Sequence, residues 1–507
     1  MATTEPRTFA PLTDNASVDV VVVGAGVAGL TTAYLLGREG KSVVVVDAGP
    51  ILSGETERTT AHLASAMDDR FVELEAIHGQ EGARLAAESH AAAIALIERI
   101  VREEGIDCSF ERVTGYLFAP AGGSRHLLED ELAAAKRAGL TDTAMLDRVP
   151  LTTFNTGPAL RFPNQAQIHP LRYLSSLADV VVRNGGRIFG HTHVDHVEGG
   201  ERAHVRTANG HVIHARAVVV ATNSPINDRV VIHTKQAAYR SYVVGFRIPK
   251  GSVPTALYWD TDEPYHYVRL APDTDGEHDV LIVGGEDHRT GQADDAAVRY
   301  RRLETWARER FTTGEVAFRW SGQVQEPVDC LGFIGRNPMD RDNVFVATGD
   351  SGQGMTHGTL AGLILTDLII GRENAWEKLY DPSRSSGVRD LGEFVKDGVT
   401  MALQYAKWLT PGDADNETQI LRGTGAVIRQ GAHKIAVYCD EEGRLHECSA
   451  VCPHLGGIVS WNQGEKSWDC PVHGSRFDCF GKVITGPAKD DLDPVQAGTQ
   501  VSSGAKR

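Results

Sequence analysis

The sequence predicts an α/β fold, with a doubly wound sheet and an interleaved antiparallel sheet, followed by a small all-β domain. Three observations lead there. The valine-rich run Val18–Val23 is followed by small residues, a helical stretch and a second apolar run ending at Asp47, which is how a doubly wound sheet begins. The segment from Tyr239 to Gly285 is rich in Tyr, Val and Ile and has the character of a large antiparallel sheet. Beyond Thr410-Pro411-Gly412, short strands alternate with glycine turns. At 507 residues the chain has room for about three folding units of roughly 150 residues.

Taken in order, residues 1–16 form a loose polar arm. The strand Val18–Val23 stops at Gly24, a helix runs from Val27 to Gly37, and a strand from Ser42 to Val46. Helical periodicity covers Glu81–Glu104 and Leu127–Ala138, and again Leu171–Arg183, which leads into a strand near Arg187. Val205–Val212 is a hairpin around Ala208-Asn209-Gly210, and Ala217–Ala221 is a buried strand. Asn343–Ala347 is another buried strand, with a helix from about Thr359. A last helix near Leu391–Leu409 ends at the proline and glycine, and Asp413–Glu417 is a linker.

Composition excludes several classes. With 51 basic and 67 acidic residues the formal charge is −16, which does not suit a nucleic-acid binder that must neutralise phosphates. A hydrophobic fraction of 41% and a charged fraction of 23% support ordinary cores. No apolar run reaches the ~18 residues of a membrane span. The first residues, Met1 to Asn15, lack a signal-peptide h-region, so a cytoplasmic location is expected. Seven cysteines in this length are no disulfide scaffold, yet Cys439, Cys448, Cys452 and Cys470 crowd together, with Cys479 just beyond.

Gly24-Ala25-Gly26-Val27-Ala28-Gly29 is G-x-G-x-x-G between a strand and a helix. Gly24 permits the tight turn, Gly26 lets a pyrophosphate approach the backbone, and Gly29 lets the helix pack on the sheet. Asp47 stands where a carboxylate meets ribose hydroxyls. This loop alone does not separate FAD from NAD. A second glycine-rich stretch, Thr348 to Gly358, again lies between a strand and a helix, and its helix N-terminus offers partial positive charge to a ligand.

With both loops, Asp47, Gly54–His62 and Ala221–Asn223, residues 18 to about 380 resemble the D-amino-acid-oxidase and glycine-oxidase family of FAD oxidoreductases. The resemblance implies that the second loop (Gly349, Gly352, Gly354, Met355, Thr356) sits under the flavin ring beside its N1–C2=O edge, and that the backbone near Val194 contacts the adenine. His62, with Thr60 two residues earlier, resembles the Thr-x-His of members whose flavin is bonded to that histidine; a histidine merely packed near the ring is the alternative.

Near the C-terminus, Cys452-Pro453-His454 and Cys470-Pro471-Val472-His473 supply two thiolates and two imidazoles. Such a set suits tetrahedral zinc. Zinc does not account for the flanking Leu455-Gly456-Gly457 and Gly474-Ser475-Arg476-Phe477-Asp478. These loops resemble the Rieske domain over roughly residues 415–495. That resemblance implies a [2Fe–2S] cluster with one iron on Cys452 and Cys470 and the other on His454 and His473. High-potential members have a disulfide where this chain has Gly457 and Val472, and a tyrosine where it has Phe477; Ser475 is retained. Fewer donors to the sulfurs place the potential in the lower part of the Rieske span. Cys439, Cys448 and Cys479 read as small buried thiols.

The two resemblances imply a division into an arm at 1–16, an FAD-dependent oxidoreductase domain at 17–380, a helix and linker at 381–414 and a Rieske domain at 415–507. FAD-binding parts fall at about 17–75, 165–225 and 325–380, and substrate-domain parts at about 76–164 and 226–324. Tyr258-Trp259-Asp260 and Tyr265–Arg269 lie on strands of the substrate domain; by alternation Tyr265, Tyr267 and Arg269 share a face, either a substrate wall or an ordinary sheet face. Gly284–His288 reads as a turn. Members that oxidise amino acids carry Gly-Leu-Arg-Pro before the second loop; here Trp320–Pro327 has no arginine to grip a carboxylate. The expected activity is oxidation of a small amine or alcohol carbon, with electrons passing from flavin through the cluster to a one-electron carrier protein or a quinone. The alternatives are the reverse electron flow, or an oxygen-using oxidase whose Rieske domain is a docking module.

Overall fold

The computed structural model describes residues 7–120, 122–227, 232–384 and 404–495. The chain divides into two compact units, Met1–Arg289 with Asp295–Lys396, and Thr290–Asp294 with Asp397–Arg507.

The first unit is built on a six-stranded sheet. Its order is Phe333–Arg336, Val344–Thr348, Ala217–Val220, Val20–Val23, Val43–Val46 and Arg187–Phe189, parallel except for the first strand. Strands buried on both faces need apolar residues at nearly every position: three of these read as near-continuous valine, and Val344–Thr348 is Val-Phe-Val-Ala-Thr. Val20, Val22, Val43 and Val45 face a core shared with helices Val27–Arg38, Pro170–Arg183 and Gly354–Ile370. Val21, Val23, Val44 and Val46 face a second core, shared with a four-stranded sheet ordered Ala16–Ser17, Val212–His214, His204–Thr207, Val194–Glu198.

A nine-stranded sheet forms the rest of this unit. Its centre is the long antiparallel set Val316–Pro327, Gln236–Pro249, His278–Arg289, His266–Pro272 and Leu257–Asp260. Leu257–Asp260 then pairs in parallel with Glu111–Phe118, so one ladder departs from the antiparallel expectation. Tyr242, Val244, Phe246, Val268, Leu281 and Val283 enter one apolar core on one face of this sheet, closed by Leu303 and Trp306 of helix Ala296–Arg310.

Three expectations are corrected. The first long helix starts at Phe71, not Glu81, and is kinked at Gly79, whose φ is +71°. Its first turn is held from outside: the Glu131 carboxylate accepts the N–H groups of Phe71 and Val72 at 2.9 and 3.1 Å. The helix after the second glycine loop starts at Gly354, not Thr359. Glycine and threonine are weak helix formers, but close packing decides here: a Cβ at Gly358 would lie 2.5 Å from Val27 Cγ1, and one at Gly362 2.6 Å from Thr31 Cγ2. Gly284–His288 is no turn; it lies inside strand His278–Arg289. The Tyr267 ring lies across Gly284, where a Cβ would come within 2.2 Å of Cζ. Of the helix expected at 391–409, residues 391–403 lie outside the described residues, and Ala406–Trp408 is a short 3-10 turn.

The second unit holds a three-stranded sheet, Thr424–Gln430, His433–Cys439 and Leu445–Ser449, and a four-stranded one, Ser460–Asn462, Ser467–Asp469, Arg476–Asp478 and Val483–Thr485. Their core contains Trp461, Trp468, Phe477, Cys452 and Cys470.

Candidate functional site

The first loop has the geometry its glycines predict. Gly24 has φ +106°, and a Cβ there would meet the Ala221 carbonyl oxygen at 2.3 Å. A Cβ on Gly29 would meet the Gly24 carbonyl oxygen at 1.9 Å, so the helix seats directly on the loop. Gly26 is the helix N-cap and provides no side-chain cap; Val27 N–H reaches Thr56 Oγ1 at 3.4 Å, and the next N–H groups of the first turn are left for an anion. Asp47 binds the neighbouring backbone: its carboxylate accepts Ala25 N–H at 2.8 Å and Gly49 N–H at 3.0 Å, and burial raises its pKa. Thr192 N–H bonds the Asp47 carbonyl at 2.7 Å, which brings the chain leading to Val194 beside this loop.

The second loop has left-handed glycines at Gly349 and Gly352, with φ of +76° and +70°. Helix Gly354–Ile370 opens after it with Met355 and Thr356 buried in its first turn. Thr356 Oγ1 and His90 Nδ1 are 2.9 Å apart. His62 is bonded to Thr60 Oγ1 through Nδ1 at 3.1 Å, and Tyr267 packs edge-on against its ring at 5.4 Å. Among the described residues its buried Nε2 makes no hydrogen bond of good geometry, although the Val268 backbone carbonyl lies near the ring. Burial, with the Arg269 guanidinium nearby, pushes the imidazole down to about 3, so it is neutral. A helix N-terminus whose glycine N-cap supplies no side chain, beside the half-buried Asp47 carboxylate, and a neutral, half-buried imidazole fit a bound dinucleotide with a polar ring.

Tyr265, Tyr267 and Arg269 do share one face, with the two tyrosine rings 5.7 Å apart and Arg269 beside His62. The alternate residues Val268 and Leu270 belong to the apolar core of the sheet. Arg269 is 2% exposed, its guanidinium donates to the carbonyls of Ile168 and Leu270, and burial lowers its pKa to about 10.

At the Tyr265 end the structure collects carboxylates that sequence reasoning missed. Asp68, Asp69, Asp287, Glu326 and Asp350 gather around the second loop, Asp68 exposed and the other four half-buried. The charges of Asp69, Asp287 and Asp350 act on Asp68, and those of Asp68, Asp69 and Asp350 on Glu326. The protein packed around it and this repulsion push Asp68 up to about 8. Burial is the main cause for Asp287, up to about 7, and for Asp350, up to about 6. Ser351 Oγ lies 2.8 Å from both an Asp69 and a Glu326 oxygen; one hydroxyl has one proton, so it donates to one of them at a time. A Cβ on Gly352 would lie 2.4 Å from Asp68 Oδ2 and 3.9 Å from Tyr265 OH. The Asp287 Oδ1 atom is buried and has no partner among the described residues. The signals available in the sequence were the Asp68-Asp69 pair and the acid in Gly284–His288, and neither reveals its convergence with Asp350 and Glu326.

In the second unit, the two short loops bring the four expected ligands together. The Cys452 sulfur accepts backbone N–H groups of His454 and Leu455, and the Cys470 sulfur those of Val472 and His473. The thiols lie within hydrogen-bonding reach; that contact holds Cys452 below its usual range and pushes Cys470 above it. Ser475 also reaches the Cys452 sulfur. The rings of His454 and His473 stand 5.0 Å apart, nearly perpendicular. A single tetrahedral ion would hold its N and S ligands roughly 3–4 Å from one another. Among the described residues, no three of these four ligand atoms fall within 4.8 Å of one another. Two thiolates at one end and two imidazoles at the other fit a two-iron cluster instead. Gly457 and Val472 touch: a Cβ on Gly457 would lie 2.5 Å from Val472 Cγ2 and 3.1 Å from Cys470 Sγ. Phe477 is fully buried opposite Trp468. Cys439 and Cys448 are buried free thiols and Cys479 a half-buried one.

No helix among the described residues is long and apolar enough to cross a membrane. The pattern of the FAD dependent oxidoreductase family matches residues 19–368, and that of the Rieske [2Fe-2S] domain matches 412–496. The Rieske 2Fe-2S iron-sulfur protein YhfW of Bacillus subtilis strain 168 is 32% identical over 97% of this chain and 96% of its own length. Gamma-glutamylputrescine oxidoreductase of Escherichia coli K12 is 27% identical over 72% of this chain and 86% of its own length. In fold, the first unit is similar to glycine oxidase from Geobacillus kaustophilus, with a TM-score of 0.62 and 20% identity, covering 74% of this chain and all of that one.

Proposed function

The chain belongs to the family of FAD-dependent oxidoreductases and carries a C-terminal Rieske [2Fe–2S] domain, and from that premise we propose that it oxidises the carbon of a cationic amine. Its electrons then pass through the cluster to an external one-electron acceptor, a carrier protein or a quinone. The observation that carries the substrate class is the cluster of carboxylates at Tyr265, half-buried except for the exposed Asp68, in which Ser241 reaches the Asp287 carboxylate and Asp287 Oδ1 makes no hydrogen bond among the described residues. A buried ammonium needs anionic partners, and a substrate carboxylate would be repelled there. No arginine stands in Trp320–Pro327, and Arg269 lies at the opposite end of the face, beside His62; Arg299 acts on Asp287 but its guanidinium is engaged by Asp295 and the carbonyls of Glu286 and Asp287. Gamma-glutamylputrescine oxidoreductase is by its name an enzyme of an amine, which agrees with this reading.

Bound FAD supplies the hydride acceptor, and the [2Fe–2S] cluster supplies one-electron storage. We assign the dinucleotide to Gly24, Gly26, Gly29, Asp47 and Val194, the flavin ring to Thr60, His62, Gly349, Gly352, Gly354, Met355 and Thr356, and the irons to Cys452, Cys470, His454 and His473. The protein's own part is to hold and deprotonate the amine. A primary ammonium on a carbon that bears hydrogen becomes an iminium, the carbon–nitrogen single bond becoming double, with loss of two electrons and two protons. One proton leaves the nitrogen, and the other leaves the carbon within the hydride. Asp68 and Asp287, raised to about 8 and about 7, are matched to take the nitrogen's proton near neutral pH. Tyr265 and Tyr267 wall the site with neutral phenols, their pKa raised by burial. The test is an anaerobic panel of diamines, N-methyl amines and 2-hydroxy acids, read by flavin bleaching. Bleaching by cationic amines supports the reading; bleaching by hydroxy acids alone overturns it.

A further inference from the structure

The outer face of the small four-stranded sheet presents a group that the redox chemistry does not use. His196 and Glu198 lie on strand Val194–Glu198, and His204 sits directly opposite Glu198 on the next strand. A bulge between Arg206 and Thr207 shifts the register, so Val194 is buried while His196 stands in solvent. Both imidazoles aim Nε2 at one oxygen: His196 is 3.6 Å and His204 3.8 Å from Glu198 Oε2. All three ligand atoms lie within 4.8 Å of one another. His214, opposite His204 on the third strand, adds an imidazole ring 5.7 Å from that of His204.

The tautomer of His204 is settled by its other nitrogen. Nδ1 is 3.1 Å from the Arg202 carbonyl oxygen, which only accepts, so Nδ1 carries the proton. In the neutral ring Nε2 is then a bare lone pair directed at a carboxylate oxygen, and two acceptors face each other. A cation between them resolves the conflict. A ring that donates through one nitrogen to a carbonyl and offers the other is the arrangement of a metal-ligating histidine. The neighbouring Arg206 does not fill the role, because its guanidinium pairs with Asp195 at 3.0 Å.

We propose that His196, Glu198 and His204 form a surface site for an imidazole-preferring divalent transition ion such as Zn2+, with His214 or water as fourth ligand. Zinc–nitrogen and zinc–oxygen bonds of about 2.0–2.2 Å set ligand separations of roughly 3.3–3.5 Å. The two separations to Glu198, 3.6 and 3.8 Å, need side-chain adjustments of only a few tenths of an ångström, and that between the two imidazoles lies within 4.8 Å. A bound ion would tie adjacent strands of the sheet that carries Val194.

The test is equilibrium dialysis of the holoprotein against Zn2+, with metal counted per chain alongside flavin and iron. The wild type is expected to retain one Zn2+ per chain more than the His196→Ala/His204→Ala variant, with flavin and iron equal in both. Glu198→Gln, which keeps size and removes charge, should lose the same ion, and Mg2+ should not replace it. The thermal midpoint should rise with Zn2+ in the wild type and not in the double variant. Equal zinc in the wild type and both variants overturns the proposal.

Discussion

Gly29→Ala tests the link between helix packing and the dinucleotide site. The added Cβ would sit 1.9 Å from the Gly24 carbonyl oxygen, where an unstrained non-bonded contact is about 3.5 Å. The deficit of about 1.5 Å cannot be relieved by a rotamer, because the obstacle is backbone. Either helix Val27–Arg38 moves off the sheet or the loop at Gly24 shifts, and both spoil the N-terminal donors at Gly26. Overpacking a well-filled interior costs typically 1–3 kcal/mol, and a backbone obstacle places this change at or above the top of that range. Gly37→Ala is the matched control in the same helix. Nothing lies within 4 Å of its Cβ, so it is expected to be neutral or stabilising by about 0.4–1 kcal/mol. FAD content after gel filtration and the thermal midpoint are the readouts. Gly29→Ala should lose flavin and melt lower while Gly37→Ala keeps both. Full flavin occupancy and an unchanged midpoint in Gly29→Ala would refute the packing argument.

Three further outcomes are expected. Phe477→Tyr should raise the cluster potential in an electron-resonance redox titration: a hydrogen bond to a charged sulfur is worth roughly 1.5–3 kcal/mol, and at 59 mV per tenfold this is tens of millivolts to about a hundred. An intact cluster with unchanged potential would mean that the side chain at 477 does not face a sulfur. The KM for a cationic amine should fall as pH rises through about 7 to 8, because Asp287 and Asp68 must ionise to hold the cation; Asp287→Asn should raise KM and flatten the profile, and a flat wild-type profile would count against the assignment. Gly457→Ala should reduce iron and labile sulfide, since its Cβ would press on Val472 and the Cys470 sulfur, and a full iron complement would show that the two loops have slack.

Much of the architecture was legible because its signals are local. Both glycine loops, the valine strands and the Cys-x-His and Cys-x-x-His pairs each announce themselves within a dozen residues, and the structure brings the four expected ligands together. Local propensity misled where tertiary contact overrides it. Gly284-Gly285 suggested a turn, but the glycines make room for the Tyr267 ring and the Tyr265 carbonyl inside a strand. Gly358 delayed the expected start of its helix, although its missing side chain is what lets Val27 approach. The carboxylate group was beyond reach, because Asp68, Asp287, Glu326 and Asp350 come from four separate segments and meet only through the register of the large sheet and the second loop. The same holds for Arg269, whose place beside His62 depends on long-range packing.

In the proposed reaction an amine reduces the flavin and the Rieske cluster then takes the electrons. Rapid mixing of the oxidised holoenzyme with an excess of a bleaching amine under anaerobic conditions, followed by freezing and electron paramagnetic resonance, tests it directly. Flavin absorbance is expected to fall first, and the signal of a reduced [2Fe–2S] cluster then to grow at a rate compatible with turnover. Complete flavin reduction with the cluster still oxidised on the turnover timescale would contradict it.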